Sequence, residues 1–136
     1  MKAMVLEATT DLVTEDAPLT MMDLPDPDPE SDEIRIRVLT CGVCHTELDE
    51  IEGRTAPPAY PVVPGHQVVG LVSEKGRQVS RFSLGDRVGV AWIYSACGEC
   101  RYCTTGQENL CPDFRATGRD ADGGEQRDPG TEEGPG

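Results

Sequence analysis

The stretch CGECRYCTTGQENLC, residues 97–111, holds four closely spaced cysteines, Cys97, Cys100, Cys103 and Cys111. Thiolates are soft ligands, and four of them complete a tetrahedral zinc site at about 2.3 Å per bond. The short gaps let tight turns present neighbouring sulfurs to one ion, and Gly98 and Gly106 give these turns backbone freedom. Because four thiolates leave no position for water or substrate, the spacing predicts a structural zinc ion.

Three other uses of such a cluster have weaker support. An iron–sulfur cluster is the main alternative, since ferredoxins use similar cysteine spacings. Two disulfides are chemically possible but are disfavoured in a reducing compartment. A nucleic-acid-binding zinc ribbon would need a basic surface, whereas the loop contains one basic residue, Arg101, against the acids Glu99 and Glu108. Zinc therefore remains the favoured interpretation.

The composition limits the size and the partners of the protein. The chain has 136 residues, of which 37% are hydrophobic, enough for one modest core and one domain. Its 25 acidic residues outnumber 12 basic ones, and the net charge of -13 disfavours nucleic-acid partners and anionic membrane surfaces. The sequence contains no apolar run of the roughly 20 residues that a membrane helix needs and no signal-peptide pattern. We therefore expect a cytoplasmic protein.

Short apolar or alternating runs separated by glycine and proline recur along the chain. In residues 34–38, isoleucine and valine alternate with arginine, which is the period of a half-buried strand. A short helix is predicted at residues 44–52, with Leu48 and Ile51 facing the core. Further strands are predicted at residues 2–6, 20–24, 67–73 and 88–93. Many short strands joined by such turns favour a mainly β fold, a barrel or a sandwich.

The composition changes near residue 119. Residues 119–136 contain six acids, five glycines and two prolines, and Ala121 is their only aliphatic side chain. Such a stretch cannot bury enough apolar surface to offset the entropy of ordering it. We therefore predict a folded domain at residues 1–118 and a disordered acidic tail at residues 119–136.

The motif CGVCH, residues 41–45, offers further ligands. It matches the pattern of covalent haem attachment, which needs export, and no export signal is predicted. Cys41 and Cys44 also have the spacing of a thioredoxin-like redox pair, but the βαβ pattern of that fold is missing. His66 follows a glycine and opens a predicted strand. A cysteine and a histidine from separate segments, with one more ligand, would form an open catalytic zinc site.

Taken together, CHTE at residues 44–47, GHQ at 65–67, GDRV at 85–88 and the four-cysteine cluster resemble zinc-dependent medium-chain alcohol dehydrogenases in order and spacing. The resemblance runs over about residues 1–124. It implies a GroES-like β-barrel, which the family normally continues with a Rossmann domain. It also implies an oxidoreductase that converts an alcohol to an aldehyde or ketone by hydride transfer to NAD(P).

The resemblance implies a role for each residue that matches a family motif. Cys44 and His66 match two ligands of the catalytic zinc, and the four-cysteine cluster matches the structural zinc site. Thr46 matches the hydroxyl that takes the alcohol proton, and Glu47 matches a carboxylate that orients the histidine ligand. His45 matches a group that contacts the cofactor pyrophosphate. In this chemistry zinc polarises the substrate oxygen, and the cofactor accepts the hydride.

The sequence departs from the family pattern at single positions. Gln67 stands where the family often has glutamate, which removes a negative charge near the metal. Asp49 stands where many members have the histidine that ends the proton relay. A carboxylate with an ordinary pKa of about 4 is a poor proton carrier at neutral pH, so the relay is assigned only as far as Thr46.

The sequence also lacks parts that the family pattern includes. The family supplies a third ligand of the catalytic zinc after the four-cysteine cluster, but no cysteine or histidine follows Cys111. No Gly-x-Gly-x-x-Gly turn is present for a dinucleotide pyrophosphate. After Gly124 the sequence stays polar where the family continues with an aromatic strand. We therefore expect a truncation or reading-frame error near Gly124, an incomplete barrel without a Rossmann domain, and a weak catalytic zinc site.

Three functions are compatible with these features. The first is the N-terminal part of an alcohol dehydrogenase, inactive alone, whose intact relatives act on small alcohols or aldehydes. The second is a stand-alone zinc-binding module that holds one zinc tightly and performs no catalysis. The third, a co-chaperonin-like barrel, rests on fold analogy alone. Exposed barrel edges favour association into a homo-oligomer. Substrate identity and the choice between NAD and NADP have no determinant in this sequence.

Overall fold

The computed structural model describes residues 1–124 and the backbone of one further strand, Gln126–Arg127. Within these residues the chain forms eight strands, one α-helix and two 3₁₀ turns. The strands are β1 (Lys2–Val5), β2 (Thr20–Asp23), β3 (Ile34–Gly42), β4 (Gln67–Lys75), β5 (Arg87–Val90), β6 (Ile93–Ser95), β7 (Arg115–Ala116) and β8 (Gln126–Arg127). The helix α1 spans His45–Ile51, and the 3₁₀ turns span Cys103–Thr105 and Glu108–Leu110.

The strands form three antiparallel sheets in the described part of the chain. Their orders are β2-β1-β8, β3-β4-β5 and β6-β7. The sheets do not close into a barrel, and a groove of about 250 Å³ opens between them. Apolar side chains of three strands line this groove, among them Ile36, Val38, Val68 and Val90. The predicted mainly β, incomplete barrel is confirmed over these residues.

The pairing of β3 with β4 places the CGVCH motif beside His66. The alternation of isoleucine and arginine predicted a strand at residues 34–38, and the strand continues to Gly42. At this end Cys41 pairs with Val68, and Gly42 pairs with Gln67. The last residues of β3 therefore lie against the first residues of β4. Each side of this junction carries one residue of the predicted catalytic zinc site.

The apolar core consists of two small clusters of buried side chains. One contains Ala3, Val5 and Val63, and the other contains Leu6, Ile51 and Val62. The two clusters are linked because the backbone of Leu6 exchanges two hydrogen bonds with Val62, at 2.8 and 3.0 Å. The segment that leads into His66 is thereby fixed to β1 and to the end of α1.

Helix α1 turns a different face to the core from the one predicted. Ile51 is buried as expected, but Leu48 is 37% exposed, whereas Glu47 and Glu50 are buried. Residues three and four apart share a helix face, so burying Glu47 also buries Glu50 and Ile51. Leu48 then lies on the outer face. The prediction for Leu48 was wrong because it assumed that apolar side chains alone choose the buried face.

The strand predicted at residues 88–93 is interrupted. The chain leaves β5 at Val90 and begins β6 at Ile93, which pairs with Ala116 of β7 instead of continuing along β4. The backbone carbonyls of Ala91 and Trp92 accept hydrogen bonds from the Thr117 hydroxyl and amide, at 3.0 and 2.8 Å. These long-range bonds redirect the chain at residues 91 and 92, where the sequence has no glycine or proline to predict the end of a strand.

The first six residues of the predicted tail make defined contacts. The Gly123 amide donates to Val63 at 2.6 Å, and the Gly124 amide donates to Gly65 at 2.9 Å. Both glycines are buried. Strand β8 pairs with β1. The other positions of the predicted tail, residue 125 and residues 128–136, lie outside the described residues, and the domain boundary at residue 118 stays a prediction. No helix in the described chain is both long and apolar enough to cross a membrane.

Candidate metal centres

The four cysteines of residues 97–111 converge on one point. Each offers a sulfur, and these four atoms all lie within 4.8 Å of one another. Two separations are 3.9 Å, between Cys97 and Cys103, and 3.6 Å, between Cys100 and Cys103. Tetrahedral zinc with bonds of about 2.3 Å requires sulfurs about 3.8 Å apart. The donor set and its spacing therefore fit a metal ion bound by four thiolates.

Backbone amides of the loop point at these sulfurs. The Cys97 amide donates to the Cys111 sulfur at 3.4 Å, and the Cys100 amide donates to the Cys97 sulfur at 3.3 Å. Gly98 and Gly106 adopt φ angles of 77° and 75°, in the left-handed region that glycine tolerates best. These turns allow the chain to fold back over a small centre. N–H donors also favour the thiolate form that a metal ion needs.

The thiols of the cluster have divergent proton affinities. Hydrogen bonding from the Cys103 backbone lowers the pKa of Cys100 to about 7. Burial raises the pKa of the neighbouring Cys103 to about 12. Closely packed sulfurs cannot all ionise without a cation between them. A bound metal would supply that positive charge, so its binding releases protons and weakens as the pH falls.

A second set of ligands lies where β3 and β4 meet. Cys44, Glu47 and His66 each offer a ligand atom within 4.8 Å of the others. The Cys44 sulfur lies 3.7 Å from Nε2 of His66. A tetrahedral zinc bound to one sulfur and one imidazole nitrogen requires a separation of about 3.5 Å. Cys44 and His66 are therefore spaced as two ligands of one ion.

Glu47 occupies the other side of the His66 ring. It is 3% exposed, and its Oε1 lies 2.9 Å from His66 Nδ1. Its Oε2 accepts a hydrogen bond of 2.7 Å from the Cys44 amide, as part of a capping box at the start of α1. One carboxylate thus touches both predicted ligands. It leaves Nε2 of His66 facing the Cys44 sulfur, which is the arrangement of a carboxylate that orients a metal-binding histidine.

Glycines hold the segment before His66 in place. Gly65 has a φ angle of 97°, which favours glycine. A side chain on Gly118 would begin 2.8 Å from the Gly65 amide. A side chain on Gly123 would overlap the Gly65 carbonyl oxygen. The turn that follows β7 therefore packs its backbone directly against the backbone that carries His66.

The other residues singled out from the sequence lie on helix α1 and at the start of β4. His45 is 77% exposed, and its Nε2 lies 3.5 Å from Oδ1 of Asp49. Asp49 also contacts the guanidinium of Arg54. Thr46 follows one residue later on the helix, and its amide donates to the Cys44 sulfur at 3.4 Å. Gln67 is exposed at the start of β4. Thr46 is thus next to the Cys44–His66 pair, whereas His45 faces outward and Asp49 is half-buried.

Comparison with known proteins identifies the family. The family described as Alcohol dehydrogenase GroES-like domain matches residues 30–130, which include both candidate metal centres. The chain belongs to this family. The family and the GroES-like fold predicted from the sequence are confirmed, and the relatives found are alcohol dehydrogenases, as predicted.

The match to individual relatives shows what share of their length this chain covers. An alcohol dehydrogenase of Geobacillus stearothermophilus is 45% identical over 107 residues, covering 78% of this chain and 32% of that protein. The thermostable alcohol dehydrogenase of Pyrobaculum aerophilum, solved with cobalt and zinc, gives a TM-score of 0.78 at 30% identity, covering 91% of this chain and 36% of that one. A Sinorhizobium meliloti dehydrogenase, assigned as zinc-binding and solved with NADP, gives a TM-score of 0.78 at 32% identity. The match covers 90% of this chain and 33% of that one. The chain thus spans about a third of these proteins' length.

Sequence reasoning missed Trp92 as a neighbour of the candidate catalytic site. In this GroES-like domain the Trp92 ring lies 6.2 Å from the His66 ring, between centroids. It is 43% exposed, so one side of the ring is open to solvent. Trp92 is the only tryptophan of the chain, which was the available signal. Its position just before the four-cysteine cluster adds to that signal, because aromatic side chains often line ligand pockets.

Glu50 is a second group that the sequence did not single out. It is 1% exposed, and neither of its carboxylate oxygens has a hydrogen-bond partner among the described residues. Burial raises the pKa of Glu50 to about 7, and the negative charge of Glu47 adds to the shift. Arg119 opposes the shift by attracting the carboxylate. Helix α1 therefore buries two acids side by side behind the Cys44–His66 pair.

Proposed function

We propose that this alcohol dehydrogenase domain forms the N-terminal part of a zinc-dependent centre that oxidises an alcohol to an aldehyde or ketone with NAD(P). The observation that carries the proposal is the 3.7 Å separation of the Cys44 sulfur and His66 Nε2, with Glu47 on the far side of the ring. A closed cluster of four thiolates suits a structural metal site. An open pair of ligands in the same chain suits a catalytic one.

The four-cysteine cluster supports a structural role for its metal. Four thiolates fill a tetrahedral coordination shell and leave no position for a substrate. The loop that they enclose has few apolar side chains of its own, and Leu110 in it is 52% exposed. A metal ion would therefore supply the cross-links that a hydrophobic core supplies elsewhere. Cys97, Cys100, Cys103 and Cys111 would hold it.

Cys44 and His66 would hold the catalytic zinc. When bound, zinc supplies Lewis-acid chemistry that lowers the pKa of an alcohol proton. Glu47 keeps His66 oriented, with Nε2 turned to Cys44. Thr46, two residues after Cys44, is proposed to take the alcohol proton. His45 projects into solvent from the same helix and is proposed to contact a cofactor phosphate.

A second candidate function has one observation in its favour. The ligand set of the four-cysteine cluster is complete in this chain, whereas Cys44 and His66 are two ligands of a site that commonly has three from protein. The chain by itself would then be a zinc-binding module without catalysis. It should hold zinc tightly at the cluster and should not reduce NAD(P) with an alcohol.

Cobalt titration of the zinc-loaded chain tests the proposed function. Cobalt bound to a single thiolate should give a weak sulfur-to-cobalt charge-transfer band. We expect Cys44→Ser to abolish the band and Cys41→Ser, three residues away, to leave it unchanged. A band that survives in Cys44→Ser would overturn the assignment of Cys44. A band that requires both Cys41 and Cys44 would favour a site built on the cysteine pair.

A further inference from the structure

The two candidate metal centres are joined by an aromatic contact. The Trp92 ring, whose centroid lies 6.2 Å from His66, also packs against Phe114. The Trp92 and Phe114 centroids are 5.3 Å apart, and the rings meet edge to face at 64°. Such edge-to-face contacts are a favourable geometry for aromatic pairs. Trp92 therefore has two aromatic neighbours, His66 of one candidate metal centre and Phe114, which lies three residues after Cys111 of the other.

Phe114 is held by the last cysteine of the cluster. Cys111 is buried, and its carbonyl accepts a hydrogen bond of 3.1 Å from the Phe114 amide. This bond closes a turn between the two residues. The position of the Phe114 ring thus depends on where Cys111 lies. A metal ion that fixes the Cys111 sulfur would also fix the start of that turn.

The residues after Phe114 are hydrogen-bonded to the segment that carries Trp92. Thr117 donates its amide to the Trp92 carbonyl and its hydroxyl to the Ala91 carbonyl. Arg115 places its guanidinium 5.2 Å above the Tyr94 ring. The segment 114–117 therefore follows residues 91–94 side by side. The backbone hydrogen bonds fix the path of the chain, and the Phe114 ring contacts the Trp92 side chain.

We propose that Phe114 is a positioning residue that couples metal binding at the four-cysteine cluster to the orientation of Trp92 beside His66. The proposal rests on the proposed function only in taking the neighbourhood of His66 as the substrate side. Trp92 is 43% exposed, so its ring has open space into which it can rotate once the Phe114 edge is lost. Metal loss from the cluster displaces Cys111 and Phe114, and the same freedom results.

Fluorescence of Trp92 provides a direct readout, since it is the only tryptophan in the chain. Emission maximum and anisotropy are measured on the whole chain, loaded with zinc and again after complete removal of zinc by a chelator. In the wild type, zinc removal should shift emission to longer wavelength and lower the anisotropy. Phe114→Ala should show the same shift with zinc bound, and removing its zinc should then add little.

Two further variants separate this role from a general effect on folding. Phe114→Tyr keeps the ring edge and should behave as the wild type in both states. Phe82→Ala removes the other phenylalanine of the chain, which stacks on Arg81 at 5.4 Å, and should leave the emission unchanged. Zinc content and circular dichroism are recorded for each sample. A Phe114→Ala chain with full zinc and wild-type emission overturns the proposal.

The same experiment remains decisive if Phe114→Ala fails to retain zinc. The wild type and Phe114→Tyr then test the coupling, because the proposal requires the Trp92 emission of both to change when zinc is removed. Unchanged Trp92 emission after full removal would refute the coupling. The proposed function is tested separately by the Cys44-dependent cobalt band, which does not involve Phe114. Absence of that band from the wild-type chain, with intact coupling, would count against the proposed function alone.

Discussion

His66 Nδ1 lies 2.9 Å from Oε1 of Glu47. The buried carboxylate thus lies against one ring nitrogen, and the other ring nitrogen faces the cysteine sulfur. Because a histidine can bind a metal through either nitrogen, this contact determines which one is presented.

Replacement of Glu47 by glutamine should weaken metal binding at the Cys44–His66 pair. Loss of an orienting carboxylate commonly costs about 10–100-fold in metal affinity, and we expect a decrease in this range. Cobalt titration measures it through the single-thiolate band. Glu52→Gln, which changes a partly exposed carboxylate at the end of the same helix, is the matched control and should bind cobalt as the wild type does. Equal affinity in Glu47→Gln would show that the contact has no orienting role.

Gly123→Ala should destabilise the fold, whereas Gly89→Ala should not. A side chain on Gly123 would overlap the carbonyl oxygens of Gly65 and Pro64, which belong to backbone that cannot easily move. Overpacking of this kind costs about 1–3 kcal/mol in the free energy of unfolding. A side chain on Gly89 meets its nearest neighbour, the Val68 carbonyl, at an ordinary 3.7 Å. Urea denaturation followed by circular dichroism compares the two, and equal midpoints would disprove the close packing at Gly123.

The buried acid Glu50 should make the domain less stable as the pH rises. Its pKa is about 7 in the folded chain against 4.5 for an unperturbed carboxyl. Between these values the unfolded chain releases a proton that the folded chain keeps, so the free energy of unfolding falls with rising pH, by about 1–3 kcal/mol across the window. Glu50→Gln should remove this fall, and Glu52→Gln should retain it. Urea denaturation at several pH values between 4.5 and 7 measures the difference, and identical slopes in Glu50→Gln and the wild type would contradict the burial of an acid here.

Zinc removal should expose the four-cysteine loop to trypsin. Arg101 lies in this loop and is exposed, but a loop cross-linked by a metal fits a protease poorly. Treatment with a chelator should accelerate cleavage after Arg101, while cleavage after Arg54, outside the loop, should proceed at the same rate with and without zinc. Mass spectrometry of the fragments distinguishes the two sites. Equal acceleration at both would indicate global unfolding instead of a local role for the metal.

The sequence predicted the parts of the fold and site that depend on local patterns. Spacing alone is sufficient to bring Cys97, Cys100 and Cys103 together, since tight turns connect them. The alternation in β3 identified that strand. The Cys44–His66 pair was predicted from the family resemblance, and the structure brings these two residues to 3.7 Å through the pairing of β3 with β4. Their roles as ligands stay predictions.

The features that the sequence did not predict arise from long-range contacts. Leu48 was placed in the core because it is apolar, but the face of α1 is chosen by the contact of Glu47 with His66. The break before β6 is made by Thr117, which lies far along the chain from Trp92. Neither the buried face of α1 nor the break before β6 is indicated by the residues that are adjacent in the sequence. For the same reason the packing of Gly123 against Gly65 could not be read from composition.

The zinc content of the purified chain after dialysis against a weak chelator shows which of the two centres holds zinc tightly. We expect one tightly held zinc per chain, counted by native mass spectrometry. This zinc should be lost in Cys97→Ser and Cys111→Ser and retained in Cys44→Ser, because the closed four-thiolate cluster holds it and the open pair does not. Two tightly held zinc ions, none at all, or a zinc that disappears with Cys44 would contradict the account.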